Sequence, residues 1–207
     1  DLNLLKLDFL GQNTLDIIQQ TLNLVKDKKL STFDDLYGKV LKDLENEKVY
    51  DLIQSGNLIG VFQLGTSEGM AQLVKRVEPT NIHDIIICCS LYRSAILAIG
   101  AHDTYIARRN GEEEIDYLHP KMAKVLDDTQ GIILFQEQVS QLAVALAGFT
   151  KTESDNFRKG IKRKDADVFE KWRKKFIKGC QKYNNIEKVI AEEIWSEIEE
   201  WSGYGFN

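Results

Sequence analysis

Residues 136–148 read Gln-Glu-Gln-Val-Ser-Gln-Leu-Ala-Val-Ala-Leu-Ala-Gly and form the clearest helical pattern in the chain. Apolar side chains recur there every three or four positions, as they do along one face of an α-helix, and Gly148 ends the pattern. Comparable patterns predict further helices at residues 15–26, 34–46, 48–55 and 67–76, and one begun by Asn81 or His83. The sequence therefore predicts a mainly α protein.

A short β element is predicted at the N-terminal end. Residues 4–10 read Leu-Leu-Lys-Leu-Asp-Phe-Leu, and Gly11 ends the run. The two-residue period of a strand would place Lys6 and Asp8 on one face. A second apolar run, residues 58–64, is compatible with either a strand or a buried turn.

Composition excludes several classes of protein. The chain has 207 residues, of which 43% are hydrophobic and 29% are charged, so a largely disordered protein is excluded. Its three cysteines, Cys88, Cys89 and Cys180, fit neither a disulfide framework nor zinc-ligand spacing, and we expect a reducing, cytoplasmic location. No apolar run approaches the ~18 residues of a membrane span. Because the chain starts at Asp1 rather than Met, we expect a piece of a longer protein.

Charge is distributed unevenly along the chain, whose net charge is -5. Residues 151–182 contain twelve Lys and Arg against five Asp and Glu, whereas residues 183–207 contain six Glu against one Lys. Helical spacing places several of the cations Arg158, Lys159, Lys162 and Arg163 on one face. This segment is typical either of a surface that binds polyanions or of a solvated cationic helix.

A series of short motifs follows one another along the chain. They are Lys6-Leu7-Asp8-Phe9-Leu10-Gly11, Gly60-Val61-Phe62-Gln63-Leu64, Asp84-Ile85-Ile86, Leu91-Tyr92-Arg93, His119-Pro120, Gln136-Glu137-Gln138-Val139, Leu146-Ala147-Gly148-Phe149, Arg158-Lys159 and Gly203-Tyr204-Gly205-Phe206-Asn207. In this order, the series resembles the C-family DNA polymerases, which are the alpha (catalytic) subunits of bacterial replicative DNA polymerase III. The resemblance covers nearly the whole chain.

The resemblance implies a domain organisation and an activity. Residues 1–13 would end a nucleotidyltransferase-like palm domain, and residues 14–207 would form a helical fingers domain that is incomplete at its C-terminus. The parent protein would be a template-directed DNA polymerase in DNA replication, in which a primer 3′ hydroxyl attacks the alpha phosphate of a deoxynucleoside triphosphate. Its partners would be primer–template DNA, deoxynucleoside triphosphates and, through regions outside this chain, other replisome subunits such as the sliding clamp.

The resemblance also assigns a metal ligand. In the family, three carboxylates hold two Mg²⁺ ions, and two of these carboxylates belong to an Asp-x-Asp pair upstream of this region. Asp8 matches the third carboxylate, and Lys6 matches a triphosphate contact. Because one carboxylate cannot organise two metals, we expect the chain alone to be inactive. The pair Asp165 and Asp167 follows the basic helix, where the family has no catalytic pair, and is interpreted as part of a polar turn.

Further cations are assigned to the incoming nucleotide by the same resemblance. Arg158 and Lys159 match a pair on a fingers helix that meets the phosphates of the incoming nucleotide. Arg93 is a third candidate for the triphosphate, although the Pro-Gly-Pro that normally follows it is replaced by Ser94-Ala95-Ile96. Lys162, Arg163 and Lys164 are expected DNA contacts.

Some alternatives remain open from the sequence. The run Gln136-Glu137-Gln138 fits a polar cluster near the nucleotide or a helix start that hydrogen-bonds to backbone. Trp172 fits either packing or base stacking. For the whole chain, two other functions are considered: a non-catalytic helical DNA-binding module with salt-sensitive, Mg²⁺-independent affinity, and a purely structural helical domain.

Overall fold

The computed structural model describes residues 7–9, 11–24, 32–162 and 165–205. Its helices are α1 (Asn13–Leu24), α2 (Phe33–Lys42), α3 (Glu47–Gln54), α4 (Glu68–Val77), α5 (Ile82–Leu91), α6 (Ser94–Ala98), α7 (Ala101–Arg109), α8 (Pro120–Leu126), α9 (Gln136–Ala147), α10 (Lys151–Lys162), α11 (Ala166–Asn184) and α12 (Lys188–Tyr204). The prediction of a mainly α protein is confirmed. Within these ranges, no helix has the length and apolar character that crossing a bilayer requires.

The predicted short β element is not seen. Of residues 4–10, the structure describes Leu7, Asp8 and Phe9, and these three form no regular structure. The side chains of Leu7 and Phe9 are 65% and 92% exposed. A strand is stable only when a neighbouring strand pairs with its backbone groups, and the described ranges contain no strand that could do so. Lys6 lies outside the described residues.

Two compact units divide the chain, residues 1–84 and residues 85–207. In the first unit, the predicted helix 34–46 is too long. It ends at Lys42, because Asn46 caps the next helix with its side-chain oxygen 3.1 Å from the backbone nitrogen of Lys48. Asn, which competes with the helix backbone for hydrogen bonds, favours this boundary position.

The apolar run at residues 58–64 forms a turn rather than a strand. The backbone nitrogen of Val61 donates to the carbonyl of Leu58, and that of Gly65 donates to the carbonyl of Val61. A β-carbon at Gly65 would lie 2.0 Å from the Leu58 carbonyl oxygen, so glycine is required for this close approach. The side chains of Leu58 and Leu64 are buried, which matches the buried-turn alternative.

Helix α9 lies at the centre of the second unit. It begins and ends where the sequence predicts, and Gly148 follows it with a φ of 67°. The helix packs against α8, α10 and α11, and α12 packs against α11. The core among these helices contains an aromatic cluster: the rings of Phe157 and Phe176 stack with centroids 6.2 Å apart, and Trp195 lies 5.9 Å from Phe157.

Trp172 belongs to the edge of this aromatic cluster. Its ring lies 5.7 Å from that of Phe157 and 5.8 Å from that of Phe149. Gly160 allows the approach, since a β-carbon there would lie 2.4 Å from the Trp172 indole nitrogen. Packing, the first of the two interpretations of Trp172, is therefore confirmed.

Candidate functional site

Helix α10 presents the cations that the sequence singles out. A capping box fixes its start: the Thr150 backbone nitrogen donates to Glu153 Oε2 at 2.9 Å, and the Glu153 backbone nitrogen lies 3.2 Å from Thr150 Oγ1. Phe157 and Ile161 are fully buried on one side of the helix. Because these two anchors fix the rotation of α10, Arg158 and Lys159 are held away from the core.

Arg158 is held from two helices. Its Nη2 donates to Asp155 Oδ1 at 2.7 Å, and its Nη1 donates to Gln136 Oε1 at 3.0 Å. Gln136 is the first residue of α9. The Arg158 side chain is 27% exposed, so the guanidinium is fixed in orientation and still open to solvent.

Lys159 shares the same carboxylate. Its Nζ lies 2.6 Å from Asp155 Oδ2, and its side chain is 60% exposed. The Lys159 ammonium, followed by the Arg158 guanidinium, lowers the pKa of Asp155 from its ordinary value. One ionised carboxylate thus lies between two cations, and the group keeps a net positive charge. Such an arrangement can bind an anion such as a phosphate, with Arg158 as a planar donor and Lys159 as a point charge.

The two glutamines at the start of α9 have different partners. Gln136 bonds to Arg158, as described above. Gln138 is buried and bonds to backbone: its Oε1 accepts from the backbone nitrogens of Leu134 and Phe135, each at 2.8 Å, and its Nε2 donates to Thr129 Oγ1 at 2.8 Å. The helix-start alternative is therefore confirmed for Gln138, and proximity of Gln136 to a nucleotide stays a prediction.

Arg93 also belongs to the second unit. It is exposed and precedes α6, with its backbone nitrogen donating to the Leu91 carbonyl at 2.9 Å. Within the described ranges, the structure shows no ion pair or side-chain hydrogen bond between Arg93 and the Gln136–Asp155–Arg158–Lys159 group. Lys162 is the exposed last residue of α10. Arg163 and Lys164 lie outside the described residues.

In the sequence, the acidic candidate Asp8 precedes the Gln136–Asp155–Arg158–Lys159 group, and Asp165 and Asp167 follow it. Asp8 is exposed. No group of three His, Cys, Asp or Glu side chains that could hold a metal ion occurs among the residues that the structure describes. The Asp8 carboxylate suits a hard divalent cation, but further carboxylates are needed beside it.

Asp165 caps α11, accepting from the backbone nitrogens of Asp167 and Val168 at 3.0 and 3.1 Å. The predicted polar turn is therefore the start of a helix, with Asp165 as its cap and Asp167 in its first turn.

One residue of the group, Asp155, was not predicted from the sequence, and neither was the contact between Gln136 and Arg158. Asp155 precedes Arg158 by three residues and Lys159 by four. This is the spacing of ion pairs along a helix, and it could have identified Asp155 from the sequence. Gln136 precedes Arg158 by 22 residues. No local pattern connects them, because their contact depends on how α9 and α10 pack.

Comparison with known proteins identifies the family. The family model for the bacterial DNA polymerase III alpha subunit finger domain matches residues 14–184. DNA polymerase III subunit alpha of Aquifex aeolicus (strain VF5) is 39% identical over 207 residues, all of this chain and 17% of that protein. The subunit alpha of Escherichia coli (strain K12) is 36% identical over 209 aligned residues, 99% of this chain and 18% of that protein.

The subunit alpha of Campylobacter jejuni subsp. jejuni serotype O:2 is 36% identical over all of this chain, again 17% of that protein. The chain thus spans 17 to 18% of the length of these curated relatives. The matched residues include α1 to α11 except the first residue of α1. The chain therefore belongs to the bacterial DNA polymerase III alpha subunit finger domain family.

Proposed function

We propose that this chain is part of a template-directed DNA polymerase and supplies its incoming-nucleotide site. The observation that carries the proposal is the Arg158–Lys159 pair, held by Asp155 and Gln136 on a helix inside the region that matches the finger domain. Two fixed, solvent-accessible cations on adjacent residues suit the oxygens of a triphosphate.

In this proposal, residues 1–13 end a palm domain and residues 14–207 belong to the fingers. Asp8 would be one of three carboxylates that hold divalent metal, expected to be Mg²⁺, and the other two would lie upstream. Bound there, the metal ions would neutralise phosphate charge and activate the primer 3′ hydroxyl. Lys6 would approach the triphosphate from the same segment.

The fingers residues would act on the phosphates alone. Arg158 would donate two parallel hydrogen bonds to one phosphate group, and Lys159 would neutralise a neighbouring oxygen. Arg93 is proposed as a further triphosphate contact, and Lys162, Arg163 and Lys164 as contacts to the DNA backbone. None of these cations needs to move a proton, since their role is to stabilise negative charge that develops on the phosphates.

The partners follow from that reaction. We propose that the parent binds primer–template DNA and deoxynucleoside triphosphates, and other replisome subunits such as the sliding clamp through regions outside this chain. A cytoplasmic location agrees with Cys88, Cys89 and Cys180, which are all free thiols.

The proposal is tested with Asp8→Asn in a full-length polymerase that contains this chain. Removal of a metal ligand is expected to lower single-turnover incorporation about a hundredfold or more, with primer–template binding retained. Asp16→Asn, at an exposed position in the first turn of α1, is the matched control and should leave the rate unchanged. Equal rates for the two variants would contradict the assignment of Asp8. A non-catalytic module would be favoured if no nucleotide is incorporated and DNA binding weakens with salt. In that case, neither variant and no change in Mg²⁺ concentration should alter the DNA binding.

A further inference from the structure

We propose that Asp155 is a positioning residue for nucleotide binding, holding Arg158 and Lys159 side by side in the orientation in which they meet the triphosphate. The inference rests on the proposed function, because it concerns how the same site is held. Asp155 acts through the two cations, and no contact of its own with the nucleotide is invoked.

The first support is the division of the carboxylate between its two partners. Oδ1 lies 2.7 Å from Arg158 Nη2, and Oδ2 lies 2.6 Å from Lys159 Nζ. Arg158 and Lys159 lie three and four positions after Asp155 on α10, so both reach the carboxylate on one helix face. Because each oxygen holds a different cation, the two side chains are aligned with each other as well as with the helix.

The second support is the contact from α9. Gln136 Oε1 accepts from Arg158 Nη1 at 3.0 Å, on the other terminal nitrogen of the guanidinium. A guanidinium has five N–H donors in a rigid plane, and these two contacts use one donor on each terminal nitrogen. The plane of the guanidinium is therefore fixed by two helices before any ligand arrives.

The third support is electrostatic. Two cations on adjacent residues repel each other and would separate in solvent if nothing held them. Both partners lower the pKa of Asp155, the Lys159 hydrogen bond more than the Arg158 hydrogen bond, so the carboxylate is ionised at neutral pH. A phosphate that bridges Arg158 and Lys159 then meets donors that need no reorganisation, which is how preorganisation strengthens binding.

The test is a double-mutant cycle in a full-length polymerase that contains this chain, with Asp155→Asn, Arg158→Gln and the double variant. KM for the nucleotide and kcat are measured in steady-state primer extension. If Asp155 positions Arg158, each single variant raises KM about tenfold. The double variant then raises KM by less than the product of the two single effects, because both changes remove the Asp155–Arg158 contact and only the Asp155–Lys159 contact is left to lose in the Arg158→Gln background. Asp155→Glu, which keeps the charge, should restore part of the loss.

Glu153→Gln is the matched control. Glu153 lies on the same helix with a similar side-chain exposure, 39% against 44% for Asp155, but its ion-pair partner is Lys175 on α11. The control should leave the nucleotide KM unchanged. A general effect of losing a carboxylate from α10 would instead appear in both variants.

The outcomes separate this inference from the proposed function. If Arg158→Gln raises KM but Asp155→Asn does not, or if the two effects multiply, Asp155 does not position Arg158, the inference is overturned and the proposed function stands. If Glu153→Gln raises KM as much as Asp155→Asn, the effect is structural and the inference is overturned. If Arg158→Gln leaves KM unchanged, the nucleotide site itself is misassigned and both proposals fail.

Discussion

Gly179 in α11 lies against Ala147 at the end of α9, so closely that a β-carbon added to Gly179 would lie 2.3 Å from the Ala147 carbonyl oxygen. The contact involves backbone, which cannot rotate aside as a flexible side chain can. It sets the distance between the central helix of the second unit and the long helix that follows α10. Asn184, five residues further along α11, donates to the carbonyls of Ala145 and Leu146 at 3.1 and 2.6 Å.

Gly179→Ala is therefore expected to destabilise the chain. Forcing an atom into this contact shifts α11 away from α9, and overpacking of this kind costs about 1–3 kcal/mol in the free energy of unfolding. The measurement is urea unfolding followed by circular dichroism. Gly203→Ala in α12 is the control, because a β-carbon there meets no atom within 4 Å and alanine favours a helix over glycine. Equal changes for the two variants would show that the contact is not tight.

The buried amide of Gln138 gives a second stability prediction. Gln138→Leu removes the acceptor for the backbone nitrogens of Leu134 and Phe135, and an unsatisfied buried donor costs about 1–3 kcal/mol. Gln141→Leu, at an exposed position of the same helix, should change the free energy of unfolding by about 0.5 kcal/mol or less. Denaturant titration of both variants measures the free energy of unfolding. Equal losses of this free energy would mean that the hydrogen bonds of the Gln138 amide add no stability.

The ion pair between Glu153 and Lys175 predicts a pH dependence. The hydrogen bond from Lys175, 2.8 Å from Glu153 Oε1, is the largest cause that lowers the Glu153 pKa from 4.5 to about 2. Because the folded-state pKa is depressed, the stabilisation is fully present above about pH 4.5 and is lost as the pH falls towards 2.

Urea midpoints of the unaltered chain and of Glu153→Gln should therefore differ at neutral pH and converge below pH 4.5. Glu137→Gln, at an exposed position in the first turn of α9, controls for the general loss of a carboxylate. A Glu153→Gln difference that stays constant down to pH 3 would contradict the assignment of the lowered pKa to this carboxyl group.

Primer extension by the chain on its own gives a fourth prediction. We expect no incorporation, because Asp8 alone cannot organise two metal ions and the described residues contain no cluster of three metal-ligating side chains. The assay uses purified chain, primer–template, deoxynucleoside triphosphates and Mg²⁺. An extension signal that Asp8→Ala abolishes would contradict the prediction and would place a complete metal site within this chain.

Helix positions could be predicted from the sequence where local signals agree. For α9, apolar spacing and the terminal Gly148 both indicate Gln136–Ala147, and the structure has these bounds. For the predicted helix 34–46, the C-terminal boundary is wrong. Asn46 is compatible with the last residue of one helix or with the cap of the next, and in the structure it caps α3. The predicted strand 4–10 is not seen in its described residues, because a strand depends on partners that a local pattern cannot supply.

The candidate site shows the same division. The cations Arg158 and Lys159 could be found from the sequence, since residue type and order are enough to match a motif. Their partners could be found only in part: Asp155 has helical spacing to both, whereas the Gln136 contact joins residues 22 positions apart. Long-range contacts of this kind depend on helix packing, here on Phe157 and the aromatic core around it.

The most direct measurement of the central claim is the apparent Kd for the nucleotide, obtained from single-turnover incorporation by a full-length polymerase that contains this chain. Arg158→Gln is compared with Arg173→Gln, a control arginine that pairs with Glu170 and Glu192 on α11 and α12. We predict that Arg158→Gln weakens nucleotide binding about 10- to 100-fold and that Arg173→Gln changes it less than about twofold. Equal effects of the two variants, or no effect of Arg158→Gln, would contradict the account.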